Sequence, residues 1–474
     1  MFYIVATRIV TRLIPAFLPA LIFSVLISGC YNRPKAPEHL RIIFTSDIRG
    51  VFTPYGCSGE MMGGMARLAT AVKEAVEESP WPVLVLDTGN FSGDGESGLN
   101  QLKASYIANT MQSIGYDAVN VGYFEARNPL EKILSLDPDE KMLTSVGYTH
   151  SHEGEERVFS YMDRMIVGRD GFRIAIIGHP LDDIDASATG ENNVPDMDMR
   201  ELYDKIGSIF TTDNVQMLIM ISDVAAPLEE VNFRAKMYTL ASLVIGGIPA
   251  KREGVEEKRG QEVQHPLVIP HAEPYGKSFG ILDLDLSRTG GIIGYKLQYR
   301  NLDASVEDDS GIVDQIKKYI AETGEPYQNS TEISPEGFVG AQSCRQCHTK
   351  EYEQWETSAH SKAWMDSETM NSLRDPSCVA CHATGFSSTD TYPPDLVDGE
   401  FRGVGCESCH GPGESHYRYQ TWKSTGKLEG VESPDELADI IIPDPTESMC
   451  QACHRPPNDE NWVYSIKRSR ILHE

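Results

Sequence analysis

Positive charge is what this chain has least of relative to its opposite: 42 Lys and Arg stand against 70 Asp and Glu in 474 residues, a formal net charge of −28. Such a field repels nucleic acid and anionic lipid surfaces and favours cationic partners or plain solubility. Long apolar runs are also missing beyond residue 30, which excludes a multi-span membrane protein. A shortage of hydrophobic residues, which would signal disorder, is not seen, because 40% hydrophobic and 24% charged residues is ordinary for a globular chain. Histidine is scarce, 13 residues in all. Cysteine is absent from Ser58 to Ser343, so eight of the ten thiols crowd into the last 131 residues. The length exceeds what one core commonly fills, and two folded units are expected.

Residues 1–30 place Arg8 and Arg12 before the apolar run LIPAFLPALIFSVLI, the pattern of a secretory leader. Removing it would take the net charge to −30, since it holds two arginines and no acids. The ending Leu26-Ile-Ser-Gly-Cys30 resembles the lipobox of bacterial lipoproteins, which implies an exported chain lipidated at Cys30. Tyr31, rather than an aspartate, follows the cysteine, and that resemblance then implies outer-membrane anchoring at the periplasmic or outer surface. The alternative is an uncleaved anchor, for which the stretch is short against the ~20 residues of a membrane span.

Four cysteine pairs share one spacing and one neighbour. They are Cys344-Arg-Gln-Cys347-His348, Cys378-Val-Ala-Cys381-His382, Cys406-Glu-Ser-Cys409-His410 and Cys450-Gln-Ala-Cys453-His454. Zinc ligation and disulfides use paired thiols too, but neither requires histidine in the fifth place. At this histidine frequency four such coincidences have a chance of about one in two million, whereas the pattern is that of c-type haem attachment. Two thiols reach the two vinyl groups of one porphyrin, and the adjacent imidazole binds iron from below. Four covalent haems c are therefore expected, with His348, His382, His410 and His454 proximal. Residues 338–474 leave about 34 residues per haem, too few to bury each macrocycle singly. The haems must cover one another, and close macrocycles make a relay.

Outside the motifs this segment offers His360, His416 and His473 as distal ligands. Three imidazoles cannot serve four irons. One haem is then five-coordinate, or takes Met365, Met370 or Met449, or borrows a histidine such as His271 from the rest of the chain or one from another subunit. The runs FVGAQSCRQCHTKEYEQWETSAHSKAW, GVGCESCHGPGESH and CQACHRPP resemble the multihaem cytochrome c-554 family over about residues 337–474. The resemblance implies a small, mainly α-helical tetrahaem domain. It implies that His360 of W-x-x-S-x-H and His416 after CH-G-P-G are distal ligands, with His473 a weaker match, and that one haem is five-coordinate among bis-histidine ones.

Residues 40–300 alternate apolar β-branched runs (LRIIFTSD, PVLVLDTG, YDAVNVG, FRIAIIG, VQMLIMIS, SLVIGG, ILDLDL) with helical patterns such as GGMARLATAVKEAVEES and LNQLKASYIANTMQSIG. This predicts a layered α/β domain with functional residues at strand ends. The stretches Thr45-Ser-Asp-Ile-Arg-Gly50, GGMARLAT, LDTGN, GYDAVNVGYFE, VIGG and PYGKSFGILDLDL resemble the metallophosphoesterase domain of the 5'-nucleotidase family and its thiosulfohydrolase relatives. That family binds two metals through D-x-H, G-D, G-N-H-E, S-H and G-H-x-H. Here Asp47 remains, but Arg49, Asn90, Tyr123, Phe124, Asp223, Ile248 and Ala250 stand at the other places. A dinuclear centre needs anionic or imidazole ligands, and an arginine repels the cations. No dinuclear metal and no hydrolysis are expected from this degenerate site, of which Asp47 and Asn90 are the remnants, and the domain reads as a scaffold for docking or assembly. Cys57, in TPYGCSGEMMGG, reads as a buried thiol, with an intermolecular link or a redox role as alternatives.

The domain expectation is thus a leader at 1–30, a metallophosphoesterase-like domain at 31–300, a helix (GIVDQIKKYIAETG) and linker at 301–336, and the tetrahaem domain at 337–474. The leading functional expectation is electron transfer between redox proteins at a lipid-tethered site, with no nucleic-acid partner. An oxidoreductase acting on a small nitrogen or sulfur compound at one open haem is second. A metal-dependent phosphohydrolase or thiosulfohydrolase is third.

Overall fold

A computed structural model describes residues 35–54, 61–93, 98–126, 135–137, 143–144, 146–152, 155–160, 164–167, 172–178, 207, 215–224, 227, 231–232, 241–249, 254–324, 334–364, 376–386, 397–427, 441–455, 459 and 462–473. The leader with Cys30, and Cys57, Ala250, Met365 and Met370, lie outside the described residues.

The first part is a two-sheet α/β sandwich. Its strands are β1 (His39–Thr45), β2 (Val83–Asp87), β3 (Ala118–Asn120), β4 (Leu143–Thr144), β5 (Val146–His152), β6 (Glu155–Ser160), β7 (Arg164–Val167), β8 (Arg173–Gly178), β9 (Met217–Ile221), β10 (Leu243–Ile245), β11 (Val255–Arg259), β12 (Leu267–Ile269), β13 (Ser278–Leu286) and β14 (Ile292–Asn301). One sheet runs β11-β14-β13-β1-β2-β3-β4 and the other β12-β10-β9-β8-β7, while β5 and β6 pair separately. β1 to β4 are mutually parallel, as are β8, β9, β10 and β12.

The continuous apolar runs of the sequence follow from burial on both faces, as parallel strands require. Ile42, Phe44, Leu84 and Leu86 point into the space between the sheets and meet Ile174, Ile176, Ile219, Ile221 and Ile245. Ile43, Val85, Val119 and Ile281 point the other way, onto helices. Gly280 is required opposite Phe44, because a Cβ there would lie 2.1 Å from the ring.

Three helices cover that second face: α1 (Met65–Glu77), α2 (Gly98–Ile114) and, after the four-residue α3 (Tyr123–Ala126), α4 (Ser310–Gly324). In α1 the buried Met65, Leu68, Ala69, Val72 and Ala75 recur at helical spacing. α4 is the helix that the sequence placed in the linker. It packs on α1 and α2, with Ile312 and Tyr319 in the same core and Ile316 and Ile320 against it. Tyr319 meets Phe52 edge-on at 5.5 Å and Tyr106 at 5.7 Å. The folded unit therefore includes α4, because an i, i+4, i+7, i+8 apolar stripe had a partner available.

The described residues between 334 and 473 form a different kind of structure, with short helices at Ala341–Cys344, Thr349–Glu356, Pro376–His382, Cys406–His410, Glu414–Thr425, Glu447–Gln451 and Tyr464–Arg468. Among the described residues its apolar core is a single cluster of Trp364, Val379, Ala383, Phe386, Val397 and Phe401. So small a protein core cannot by itself stabilise a segment of this length.

Candidate functional site

Each Cys-x-x-Cys-His motif sits on a helical turn. The His348 amide donates to the Cys344 carbonyl at 2.9 Å and the His454 amide to the Cys450 carbonyl at 2.8 Å; the second and third motifs lie within Pro376–His382 and Cys406–His410. Residues i, i+3 and i+4 of a turn share one face, so the two thiols and the imidazole of a motif address one ligand. This is the physical reason for the spacing.

The structure brings three motif histidines against the three remaining histidines of the segment. The ring centroids of His348 and His416 are 6.3 Å apart, those of His454 and His360 6.0 Å, and those of His410 and His473 6.1 Å. An imidazole nitrogen binds a metal at about 2 Å, and its ring centre lies about 1 Å further, so two imidazoles on opposite sides of one iron have centroids about 6 Å apart. The three pairs have that separation. His416 is carried by Glu414–Thr425, His360 by the turn after Thr349–Glu356, and His473 is drawn in by Gln354, whose side chain donates to the Leu472 carbonyl at 2.7 Å and meets His473 Nδ1 at 3.3 Å. Among the described residues no fourth histidine faces His382. Met449 stands beside Cys450 on Glu447–Gln451.

The other ring nitrogen is also engaged, which is how a metal-binding histidine is oriented. His382 Nδ1–H donates to the Ala363 carbonyl at 2.7 Å and His410 Nδ1–H to the Ile442 carbonyl at 2.7 Å. His454 Nδ1 instead faces a carboxylate, Asp459 Oδ2, at 3.3 Å, and its ring is stacked on Trp462 at 5.7 Å. His454, Arg455, Asp459 and Trp462 with Ser448 and Gln451 line an open cavity of about 430 Å³. Burial, aided by His454, holds the His360 imidazole below its ordinary pKa and so in the neutral form that ligates.

The thiols show which motifs are neighbours. Cys344 lies beside Cys406, Cys453 beside Cys381, and Cys409 near Cys450 and Cys453. The motifs therefore adjoin in the order first, third, fourth, second.

Sequence reasoning missed two acids here. Glu407, inside the third motif, is 4% exposed, and its carboxylate accepts the amides of Val339, Gly340 and Gly413 at 2.7–3.2 Å. It clamps the segment entering the domain to the Gly-Pro-Gly turn that leads to His416. A residue between two haem cysteines carries no sequence signal for such a role, and neither does Asp459 five residues after His454.

In the first part, the strand-end loops converge on Arg49. Its guanidinium donates from Nη2 to Asp47 Oδ2 at 3.1 Å and from Nη1 to the Tyr275 hydroxyl at 3.2 Å, and lies over the rings of Phe124 and Tyr275 at 5.4 and 5.2 Å. Asn90 Nδ2 donates to Asp47 Oδ1 at 3.0 Å, while its Oδ1 accepts the Phe124 amide at 3.0 Å. Both oxygens of Asp47 are thus engaged by Asn90 and Arg49. Asp223 accepts the Tyr123 amide at 2.6 Å, and burial pushes its carboxyl up to about 7. His271 is 1% exposed, touches the Ser222 carbonyl at 2.6 Å and is held down in pKa by burial, and it lies in this cluster. Ile248 is an exposed apolar side chain.

Residues 343–411 match the family cytochrome c554 and c-prime. Cytochrome c-554 of Nitrosomonas europaea is 32% identical over 144 residues, which cover 26% of this chain and 60% of that protein. The C-terminal part of the chain is therefore similar to cytochrome c554 domains, and the chain spans about 60% of the length of the curated relative it matches. Among solved structures, a 5'-nucleotidase precursor of Thermus thermophilus is similar at 18% identity, 62% and 61% coverage of the two chains and a TM-score of 0.47. The sulfate thiohydrolase SoxB of Thermus thermophilus is similar at 15% identity, 68% and 69% coverage and a TM-score of 0.47. The calcineurin-like phosphoesterase YfkN of Bacillus subtilis follows at 16% identity, 61% and 99% coverage and a TM-score of 0.44. Among the described residues no helix is long and apolar enough to cross a membrane.

Proposed function

We propose that this protein is an exported, lipid-anchored tetrahaem cytochrome that passes electrons between redox proteins. The observation that carries the reading is the set of three imidazole pairs at 6.0–6.3 Å, with His382 left over. In this reading Cys344 and Cys347, Cys378 and Cys381, Cys406 and Cys409, and Cys450 and Cys453 each hold one haem c. His348 with His416, His410 with His473, and His454 with His360 would each ligate one haem iron, and His382 would ligate the fourth. When bound, each haem takes up and gives back a single electron, and bis-histidine ligation favours a lower potential than His/Met ligation. The thiol contacts support a relay order of His348, His410, His454 and His382, which puts the one-sided site at an end. Cys30 would supply the lipid tether at the outer membrane, and the relay's partners would be a donor and an acceptor protein.

A second reading rests on His382. Its ring is fixed by the Ala363 carbonyl, and an iron with a vacant face there could bind a small nitrogen or sulfur compound, making the relay a supply line for an oxidoreductase. The first domain takes part in neither chemistry in this reading. Arg49 and Asn90 occupy both oxygens of Asp47, so the guanidinium provides the positive charge at the place where the resemblance would put metal cations.

Pyridine haemochrome analysis of the mature protein tests the count: four covalent haems per chain are expected, and two or fewer, with zinc in their place, would overturn the reading. Electron paramagnetic resonance of the oxidised protein separates the two functions. A high-spin ferric signal that shifts with nitrite, hydroxylamine or sulfide supports ligand chemistry at His382, and a high-spin signal indifferent to them leaves the relay.

A further inference from the structure

Among the described residues, four of the seven large hydrophobic side chains that stand exposed are Ile442, Val463, Ile466 and Leu472, all in the last stretch of the chain. They divide in two. Ile442 offers its carbonyl to His410, and Leu472 precedes His473, so both flank that imidazole pair and belong to the haem it would hold. Val463 and Ile466, 46% and 57% exposed, do not. They lie on the helix Tyr464–Arg468 and its entry, with Lys467 next to Ile466 on the helix and Arg470 in the turn that follows it. The opposite face is tied down: Tyr464 donates to the Pro445 carbonyl at 3.0 Å and Arg468 pairs with Asp444. Val463, Ile466, Lys467 and Arg470 are all exposed.

This face is basic and apolar in a chain whose formal charge is −28. No acid lies between Asn461 and His473, and of the neighbouring acids Asp444 is engaged by Arg468, Asp459 by His454 and Glu447 by Gln451, while Glu460 and Glu474 lie outside the described residues. Its position is as specific as its charge. At one end Trp462 is stacked on His454, and at the other His473 is stacked on His410, so the face spans two consecutive stations of the proposed relay.

We propose that this helix face is the docking site of an acidic electron-transfer protein, which exchanges electrons with the irons held by His454 and His410; this rests on the electron-carrier reading above. An acidic partner is repelled by the rest of the molecule, but at physiological ionic strength the Debye length is about 8 Å, so at contact it responds to the local face and not to the total charge. Repulsion everywhere else then orients the encounter. Val463 and Ile466 supply the apolar centre and Lys467, Arg470 and the exposed Arg455 the charged rim, the arrangement of a protein interface.

The test uses the haem-loaded full chain and its K467E/R470E variant, neither residue being assigned to an iron. Both are reduced in a stopped-flow instrument by flavodoxin hydroquinone, an acidic protein donor, and by the methyl viologen radical cation, a small low-potential cationic donor that requires no docking. The flavodoxin rate constant at low ionic strength is expected to fall about tenfold in the variant, with the difference lost at high salt, while the viologen rate does not fall. An unchanged flavodoxin rate overturns the docking proposal while leaving the electron carrier intact. Failure of the viologen radical to reduce the wild-type haems would instead overturn the electron-carrier reading. A wild-type protein that dimerises on sedimentation, with a monomeric variant of unchanged flavodoxin rate, would assign the face to a second copy of the chain.

Discussion

Replacing His360 with alanine tests the ligand pairing most directly. His360 is paired with His454 at 6.0 Å, and its backbone is fixed independently of its ring, since the Val404 amide donates to the His360 carbonyl at 3.0 Å. Truncation therefore removes a ligand and leaves the turn in place. The thioether anchors and the proximal imidazole of the fourth motif are untouched, so haem content stays at four. With three pairs and one unpaired motif histidine, one quarter of the ferric iron is expected to be high-spin in the wild type under the proposed tetrahaem reading. The variant doubles that to one half. The potential of the affected haem rises as well, because a strong donor to Fe(III) has been lost. Spin quantitation by electron paramagnetic resonance, with potentiometric titration of the same sample, reads both effects. His416→Ala and His473→Ala should each reproduce the step from one quarter to one half, and the His360→Ala/His416→Ala double variant should reach three quarters. A high-spin fraction that stays at one quarter in His360→Ala would refute the pairing and return His360 to the surface histidines.

Asp459→Asn should raise one of the four haem potentials and leave three where they are, because a carboxylate at His454 Nδ1 gives the imidazole anionic character that favours Fe(III), whereas the carbonyls at His382 and His410 do not. Glu407→Ala strands the amides of Val339, Gly340 and Gly413 and should cost about 3–5 kcal/mol of haem-domain stability, read from the thermal melt of the Soret band; a loss below about 1 kcal/mol would mean that water replaces the carboxylate. Asp223 has a folded-state pKa near 7 against an ordinary 3.8, so the unfolded chain loses this proton first and the wild-type domain loses stability as pH rises through that window. Asp223→Asn should accordingly be no more stable than wild type at pH 4 and more stable at pH 8, which denaturant titrations at the two pH values check. Added manganese, zinc or cobalt should give no phosphodiesterase, nucleotidase or thiosulfohydrolase turnover above that of the haem domain, and metal-stimulated turnover would make the protein bifunctional.

What could be read from the sequence depended on whether the determining contact is local. β1, β2, β8 and β9 announce themselves because strands buried on both faces are apolar throughout. The helix Ser310–Gly324 was legible as a helix but not as part of the first core, since Ile312, Ile316, Tyr319 and Ile320 make the stripe that any amphipathic helix makes and the sequence does not name the surface it meets. The motif cysteines and histidines declare themselves within five residues. The partners of those histidines do not: His360 stands far before His454 in the chain, and nothing local tells it from a ligand of His382. Glu407 and Asp459 were invisible for the opposite reason, being acids in an acidic chain whose importance lies in what they accept.

The strand-end site is held together mainly by its backbone. Among the described residues, the non-glycine positions with left-handed backbone are Asp47, Arg49, Asn90 and Tyr275, with φ between 51° and 65°, and all four surround this one site. Each such conformation costs about 1–3 kcal/mol and persists only where its surroundings over-determine it. Here the surroundings are mainly backbone. The amides of Asp47, Arg49 and Gly50 donate in turn to the carbonyls of Gly89, Asn90 and Phe91, and the Tyr275 amide donates to the Asp47 carbonyl. Beneath them the Glu125 carboxylate, 1% exposed, accepts the amides of Asn90, Ser92 and Gly122 and ties the ends of β2 and β3 together. None of these bonds uses a side chain at the positions where Arg49, Asn90, Tyr123, Phe124 and Asp223 stand. The backbone lattice therefore does not depend on those side chains, and the remaining requirement is electrostatic. Asp47 is buried and needs a cation or a donor at each oxygen, and Arg49 and Asn90 supply them. A tethered guanidinium and a side-chain amide thus balance the buried Asp47 carboxylate from within the chain.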